Sequence, residues 1–210
     1  MDRPLLTIAI PTYNRHSEVA TLYRDSLLTL PDETREKLEV IVSDNSDVSV
    51  ARQNAELFSG TFVKHRPNSG NQGYAQNILN CVDRASGEFL WITSDDDAIR
   101  PEELASLVGW LDENVSGDDS VFLAFDAEGV DASSKVTNTC NHWGVEDGAS
   151  LGDLIDRAVD VPFILPSSCV LNLRNFDKAQ LANVKAAFGS NDFIQVPLFQ
   201  TIVAENSLRF

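Results

Sequence analysis

The stretch 90-LWITSDDDAIRP-101 joins bulky apolar residues directly to three consecutive carboxylates, Asp95, Asp96 and Asp97, and then restarts at Pro101 with Glu102 and Glu103 behind it. The apolar run suits a strand buried on both faces. Proline followed by two acids suits the first turn of a helix, where no N–H is needed and negative charge meets the positive end of the helix dipole. The junction therefore reads as a strand end that delivers acids to one place. Two carboxylates roughly 5 Å apart repel by about 3 kcal/mol at an effective dielectric of about 20. Something must offset that repulsion, and a bound divalent cation is the expected partner.

The same strand-then-helix pattern recurs upstream. The run 5-LLTIAI-10 reads as a buried strand closed by Pro11, and Ser17-Glu18 opens a helix with Val19, Leu22, Tyr23, Leu27 and Leu30 on one face, stopped by Pro31. Leu38 to Val42 is a second strand, ending in 43-SDNSD-47, and Thr61 to Lys64 a third, ending in 65-HRPNSGNQG-73. A helix with Ala75, Ile78, Leu79 and Val82 inward follows, with Gly87 as its expected C-cap. Phe89 to Thr93 is the fourth strand, and the helix from Pro101 buries Leu104, Leu107, Val108 and Leu111.

Downstream the pattern is less regular. Val121 to Phe125 predicts a strand, 131-DASSKVTNTCNHWG-144 a polar loop, Leu151 to Val159 a helix and Ser168 to Leu173 a strand. A helix is expected from after Phe176 to about Phe188, another begins within 189-GSNDFIQVPLFQ-200, and a further strand is expected near the end. Strands alternating with helices predict an α/β protein with a mostly parallel sheet covered on both sides, and such sheets bind ligands at the carboxyl ends of their strands. PTYNR, SDNSD, NSGNQG and SDDD all follow strand ends, so they point to one crevice.

Composition narrows the function. With 32 acidic against 16 basic residues the net charge is -16, which disfavours nucleic acid or an anionic membrane as a partner of the whole surface. Cys81, Cys140 and Cys169 stand at no metal-ligand spacing and read as structural thiols of a reducing compartment. No signal pattern and no eighteen-residue apolar run is present, so the expectation is a soluble, cytoplasmic protein. Contact with the inner face of a membrane would come from a partner or from sequence outside these residues. The 210 residues are expected to form one domain, truncated at its C-terminus.

Together, 8-IAIPTYNR-15, 39-EVIVSDNS-46, 71-NQGYAQN-77 and 87-GEFLWITSDDDAIRPEEL-104 resemble the inverting family 2 glycosyltransferases of the GT-A fold, over most of residues 5 to 110 and again around Asp192. The resemblance implies a Rossmann-like three-layer α/β/α architecture. It implies a nucleotide-sugar donor, Mg²⁺ or Mn²⁺, and a glycan or lipid-linked saccharide acceptor. Pro11, Thr12, Tyr13 and Arg15 would lie beside the nucleotide base, and Asp44 would accept a hydrogen bond from the base imide, which suits uracil or thymine. Asn71, Gly73 and Asn77 match the family N-x-G-x-x-x-N pattern, with Asn77 turned towards the sugar-nucleotide. SDDD stands for the family D-x-D, with Ser94 where many relatives carry the first acid. In that register Asp95 faces the ribose, Asp96 the metal-diphosphate, and Asp97 binds metal or caps the next helix. Asp192 would be the base that deprotonates the acceptor hydroxyl.

On the residues alone, other readings stay open. Asp44 would also serve as a turn cap, the N-x-G stretch as a polar loop before a helix, the acids as a solvated helix cap and Asp192 as an N-cap. A nucleotidyltransferase also uses acidic metal ligands on a parallel sheet, but would carry a glycine-rich basic loop where PTYNR stands. A receiver domain would need its acid pair near Pro11-Thr12. A non-catalytic glycosyltransferase-like binding module remains an alternative. His16, His65 and His142 carry no assigned role, Trp143 would stack on a sugar or pack, and Cys81 reads as core.

Overall fold

The computed structural model describes residues 3–115, 123–124, 127–130, 136–140, 167, 169–189 and 193–207. In chain order these form β1 (Leu6–Thr12), α1 (His16–Leu22), α2 (Asp32–Glu36), β2 (Leu38–Asp44), α3 (Val48–Phe58), β3 (Val63–Pro67), α4 (Tyr74–Arg84), β4 (Phe89–Ile92) and α5 (Pro101–Asn114). Beyond them lie β5 (Leu123–Ala124), β6 (Ala127–Val130), β7 (Val136–Cys140), β8 (Cys169–Asn172), α6 (Gln180–Phe188) and α7 (Gln195–Ser207).

The main sheet has the order β3-β2-β1-β4-β8-β5. The first four strands pair in parallel, while β8 runs against both β4 and β5. Five strands thus share one direction, as the alternation of strands with helices requires. Side chains alternate across the sheet with period two. Leu6, Ile8, Ile10, Val40, Val42 and Phe89 pack with α1, α3 and α5 residues such as Leu22, Phe58, Leu104 and Leu111. Ala9, Leu90, Ile92 and Leu171 face the other layer, where Ile78 and Val82 of α4, Leu181 of α6 and Phe199 of α7 close over them. Each fully buried Leu, Ile or Phe contributes about 1.5–3 kcal/mol of transfer free energy, so three-layer packing follows from strands that are apolar on both sides.

Several expectations are corrected. Gly87 does not cap α4, which ends at Arg84 with Ala85 at the cap. Gly87 instead lies against β1, where a Cβ would stand 2.6 Å from Thr7 N. The helix after β1 is α-helical only to Leu22 and continues as a wider π-helical turn over Tyr23–Leu27. Helix α3 carries no strong apolar stripe, since its buried residues are Asn54 and Phe58, so hydrophobic periodicity does not announce it. Part of the expected polar loop 131–144 is strand β7, which pairs with β6 in a separate two-stranded sheet. Helix α7 runs to Ser207 where a further strand was expected. The helix expected over Leu151–Val159 lies outside the described residues.

Candidate functional site

Register builds the site. β1 and β4 pair in parallel with Ala9 opposite Ile92, so continuing three residues brings Thr12 opposite Asp95. Thr12 Oγ1 donates to Asp95 Oδ2 at 2.6 Å. Arg15, in the loop after β1, reaches the same acids: Nη1 donates to Asp95 Oδ1 at 2.8 Å and Nη2 to Asp96 Oδ2 at 2.8 Å. The Ser94 hydroxyl donates to the other oxygen of Asp96. Asp97 Oδ2 accepts from Ser94 N at 3.0 Å and Thr93 Oγ1 at 3.3 Å, which closes the turn.

This geometry supplies a partner for the acids that the opening expectation did not include. The repulsion among the acids is offset within the protein by one guanidinium spanning Asp95 and Asp96, a strong charge-assisted arrangement. Arg15 thereby ties the loop after β1 to the acidic loop. Asp97 neither caps α5, whose start at Arg100 has no side-chain cap, nor projects both oxygens outward. The pair Asp95 and Asp96 is asymmetric. Asp95 is 3% exposed, and burial raises its pKa against the opposing bonds from Thr12 and Arg15. Asp96 is exposed, and the Ser94 hydroxyl, followed by Arg15, holds its carboxyl below the usual range.

Where β1 meets β2, Thr12 stands opposite Asp44. Asp44 is buried, with Oδ1 accepting from Ser46 N at 2.8 Å and Oδ2 from Asn54 Nδ2 at 2.9 Å, and with His65 Nε2 2.8 Å away. Burial opposes its ionisation, yet the bonds from His65, Ser46 and Asn54 outweigh it and bring the pKa down to about 2. The network extends to His16, whose Nδ1 lies 2.7 Å from Asn54 Oδ1. An outside donor reaches this carboxylate only after a neighbour moves, and its internal partners match the turn-capping alternative. Asn54, His65 and His16 are the residues that sequence reasoning missed here. Asn54 sat in an unrecognised helix, and isolated histidines gave no spacing signal.

The PTYNR loop is tied to SDNSD as well. Asn14 has φ 57, in the left-handed region. Its side chain exchanges two bonds with Asp47, to the backbone N and to Oδ2, both 2.9 Å, while its own N–H donates to Ser46 Oγ. The carbonyl of Gly73 (φ 81) accepts from Asn45 Nδ2. Asn71 Oδ1 accepts from Gly73 N at 2.9 Å, shaping the approach to α4. Asn77 is turned inward: its Oδ1 accepts from Ser43 Oγ at 2.7 Å and Asn68 Nδ2 at 3.1 Å, and its Nδ2 donates to Thr12 O at 3.4 Å. The reach towards a donor predicted for Asn77 is thus taken up by bonds that join three strand-end loops.

Tyr13, Tyr74, Arg15 and Asp96 remain accessible along this edge of the sheet. Among the described residues no group of three or more His, Cys, Asp or Glu is arranged to hold a metal ion. Asp95, Asp96 and Ser94 offer oxygen donors alone, which fit a hard cation held by one or two carboxylates with water and phosphate completing its shell. Asp192, His142 and Trp143 lie outside the described residues. Cys81 and Cys169 are buried in the core, and burial pushes both thiols up to about 12. No helix among the described residues is long and apolar enough to cross a membrane.

A family model described as glycosyl transferase family 2 matches residues 7–156. The abequosyltransferase RfbV of Salmonella typhimurium is 29% identical over 111 residues, which are 51% of this chain and 33% of that protein. The GalNAc(5)-diNAcBac-PP-undecaprenol beta-1,3-glucosyltransferase of Campylobacter jejuni is 29% identical over 108 residues, 50% of this chain and 34% of that protein. The aligned stretch therefore spans about a third of the length of these relatives. The crystal structure of S. aureus TarS 1-349 is similar in fold, with a TM-score of 0.54 at 17% identity over 97% of this chain and 55% of that one.

Proposed function

The chain belongs to glycosyl transferase family 2, and from that premise we propose that it transfers a sugar, with inversion, from a nucleoside diphosphate donor to a hydroxyl of a glycan or lipid-linked saccharide. The observation that carries the reading is the convergence of PTYNR, SDNSD, NSGNQG and SDDD at one sheet edge, joined by Thr12, Asn14, Arg15 and Asn77. The donor is of UDP or dTDP type. Tyr13 offers a ring beside the base, Asp44 an ionised acceptor for its imide N–H, Asn71 and Gly73 a close backbone approach, and Asp95 and Asp96 the ribose and diphosphate end. Mg²⁺ or Mn²⁺, held mainly by Asp96, would act as a Lewis acid towards the leaving diphosphate. Asp192 is the base that takes the proton of the attacking hydroxyl. The name of the Campylobacter relative supports a saccharide acceptor carried on a lipid diphosphate.

In this reading residues 1–210 are a single domain, with the donor held by 1–110 and the acceptor by 111–210. The protein works in the cytoplasm, and any membrane contact comes from a partner or from sequence outside these residues. Calorimetry tests the donor half. UDP should bind in the presence of Mn²⁺, lose affinity with excess chelator, and fail to bind Asp96→Ala. Equal affinity with chelator and with Mn²⁺ would overturn the metal assignment. In the transfer assay Asp192→Asn should lower turnover by about 10² to 10⁴ with donor binding intact. Turnover near that of wild type would remove Asp192 from the mechanism.

A further inference from the structure

We propose that Arg15 is a resident counter-ion that competes with the donor's divalent cation for the acidic loop, pairing with Asp96 in the ligand-free protein and yielding it when the metal-bound diphosphate arrives. The inference rests on the assignment of Asp96 to the metal-diphosphate end. Its own support is the clasp: one guanidinium bridges Asp95 Oδ1 and Asp96 Oδ2, both at 2.8 Å.

The two ends of that clasp differ. The Asp95 side chain is 4% exposed, whereas those of Asp96 and Arg15 are 47% and 43% exposed. Breaking the contact to Asp95 would strand a buried carboxylate, while water or a cation reaches Asp96 directly. An incoming ion therefore displaces Arg15 from Asp96 first. A resting place is at hand, because Glu18 Oε1 lies 3.9 Å from Arg15 Nε.

The backbone beneath is fixed. Asn14 is held in a left-handed conformation by its bonds to Asp47 and Ser46, so displacement involves side-chain rotation rather than loop movement. The acidic loop stays compact without a ligand because the arginine supplies the positive charge. Free metal then binds weakly unless it comes with diphosphate to offset the cost of displacing that charge. Arg15 is a positioning residue in this account, acting through Asp96.

Titration of Mn²⁺ alone, followed by the electron paramagnetic resonance signal of the free ion, tests the competition without an activity readout. Arg15→Gln should bind Mn²⁺ on the order of two- to fivefold more tightly than wild type, the size of one lost, partly exposed ion pair. The gain should vanish in the double variant Arg15→Gln/Asp96→Ala. Arg15→Lys, whose point charge cannot span both carboxylates, should fall between. Near-ultraviolet circular dichroism checks that each variant keeps its tertiary packing. Mn²⁺ affinity in Arg15→Gln equal to or weaker than wild type, with packing retained, would overturn the proposal. Failure of the metal assignment has a different signature, namely UDP affinity in wild type that is indifferent to Mn²⁺.

Discussion

The two ends of the parallel sheet both bury a carboxylate, and they do so in different ways. At the amino end Glu39 of β2 is 5% exposed. Its Oε2 accepts from Thr7 Oγ1 and Ser86 N, both at 2.7 Å, and its Oε1 from Lys64 Nζ at 2.8 Å. Burial would raise its pKa, but the bonds from Lys64, Ser86 and Thr7 leave it lowered. At the carboxyl end Asp95 is equally buried, yet its partner Arg15 is shared with an exposed neighbour, Asp96. The amino end is a joint, in which Glu39 links β1, β2, β3 and the turn before β4. The carboxyl end leaves part of its compensation open to exchange. A buried charge alone is therefore weak evidence of a site, whereas a buried charge whose counter-ion is shared with an exposed carboxylate is better evidence.

The largest expected effect breaks the joint. Glu39→Ala leaves the Ser86 N–H and the Thr7 hydroxyl without their acceptor, and should cost about 2 to 4 kcal/mol in urea denaturation, with UDP affinity of the folded fraction unchanged. A loss well below that range would show the amino end to be as exchangeable as the carboxyl end.

Acid titration sharpens the contrast at Asp44. The folded pKa of Asp44, about 2, lies below its ordinary 3.8, so its contribution is complete above the unfolded value and is lost as pH falls towards 2. That contribution amounts to roughly 2 kcal/mol. Asp95 works in the opposite sense. Its raised pKa means that the folded state holds its proton more tightly, so its contribution to stability falls as pH rises through the window above 3.8. Asp44→Asn should flatten the low-pH loss in melting curves, and a parallel loss of UDP affinity would separate base recognition from turn capping. An unchanged acid profile would contradict the His65–Asp44–Asn54 arrangement.

The smallest effect is at Lys64. Its side chain is 47% exposed, so water replaces the ammonium when it is removed, and Glu39 keeps Thr7 and Ser86. Lys64→Met should cost less than about 1 kcal/mol by the same denaturation measurement. A cost matching that of Glu39→Ala would mean that the ion pair, not the hydrogen bonds to Glu39, holds the joint.

Much of this molecule was readable from local chemistry. Runs such as LLTIAI, LEVIV and EFLWI are apolar on alternate and intervening positions alike, which specifies strands covered on both faces, and Pro101 with its two acids marks the start of α5. The family and the α/β/α layers followed from the order of the motifs between those elements. Helix α3 was not readable because Asn54 occupies its buried face, and β7 because a polar pair of strands has no apolar alternation to show.

By itself the sequence determined which residue types arrive at the carboxyl ends of β1 to β4, because strand periodicity and proline and glycine positions are local properties. Tertiary structure decided what those residues do to one another. Thr12 meets Asp95 through parallel register across 83 positions, Asp44 gathers His65 and Asn54, and Asn77 turns into the protein. It also decided that two of the three acids, Asp95 and Asp96, are held by Arg15, a residue 80 positions away from Asp95. The physical reason is that hydrogen bonds and ion pairs depend on distances of a few ångströms between chain-distant atoms, which only strand register and packing fix.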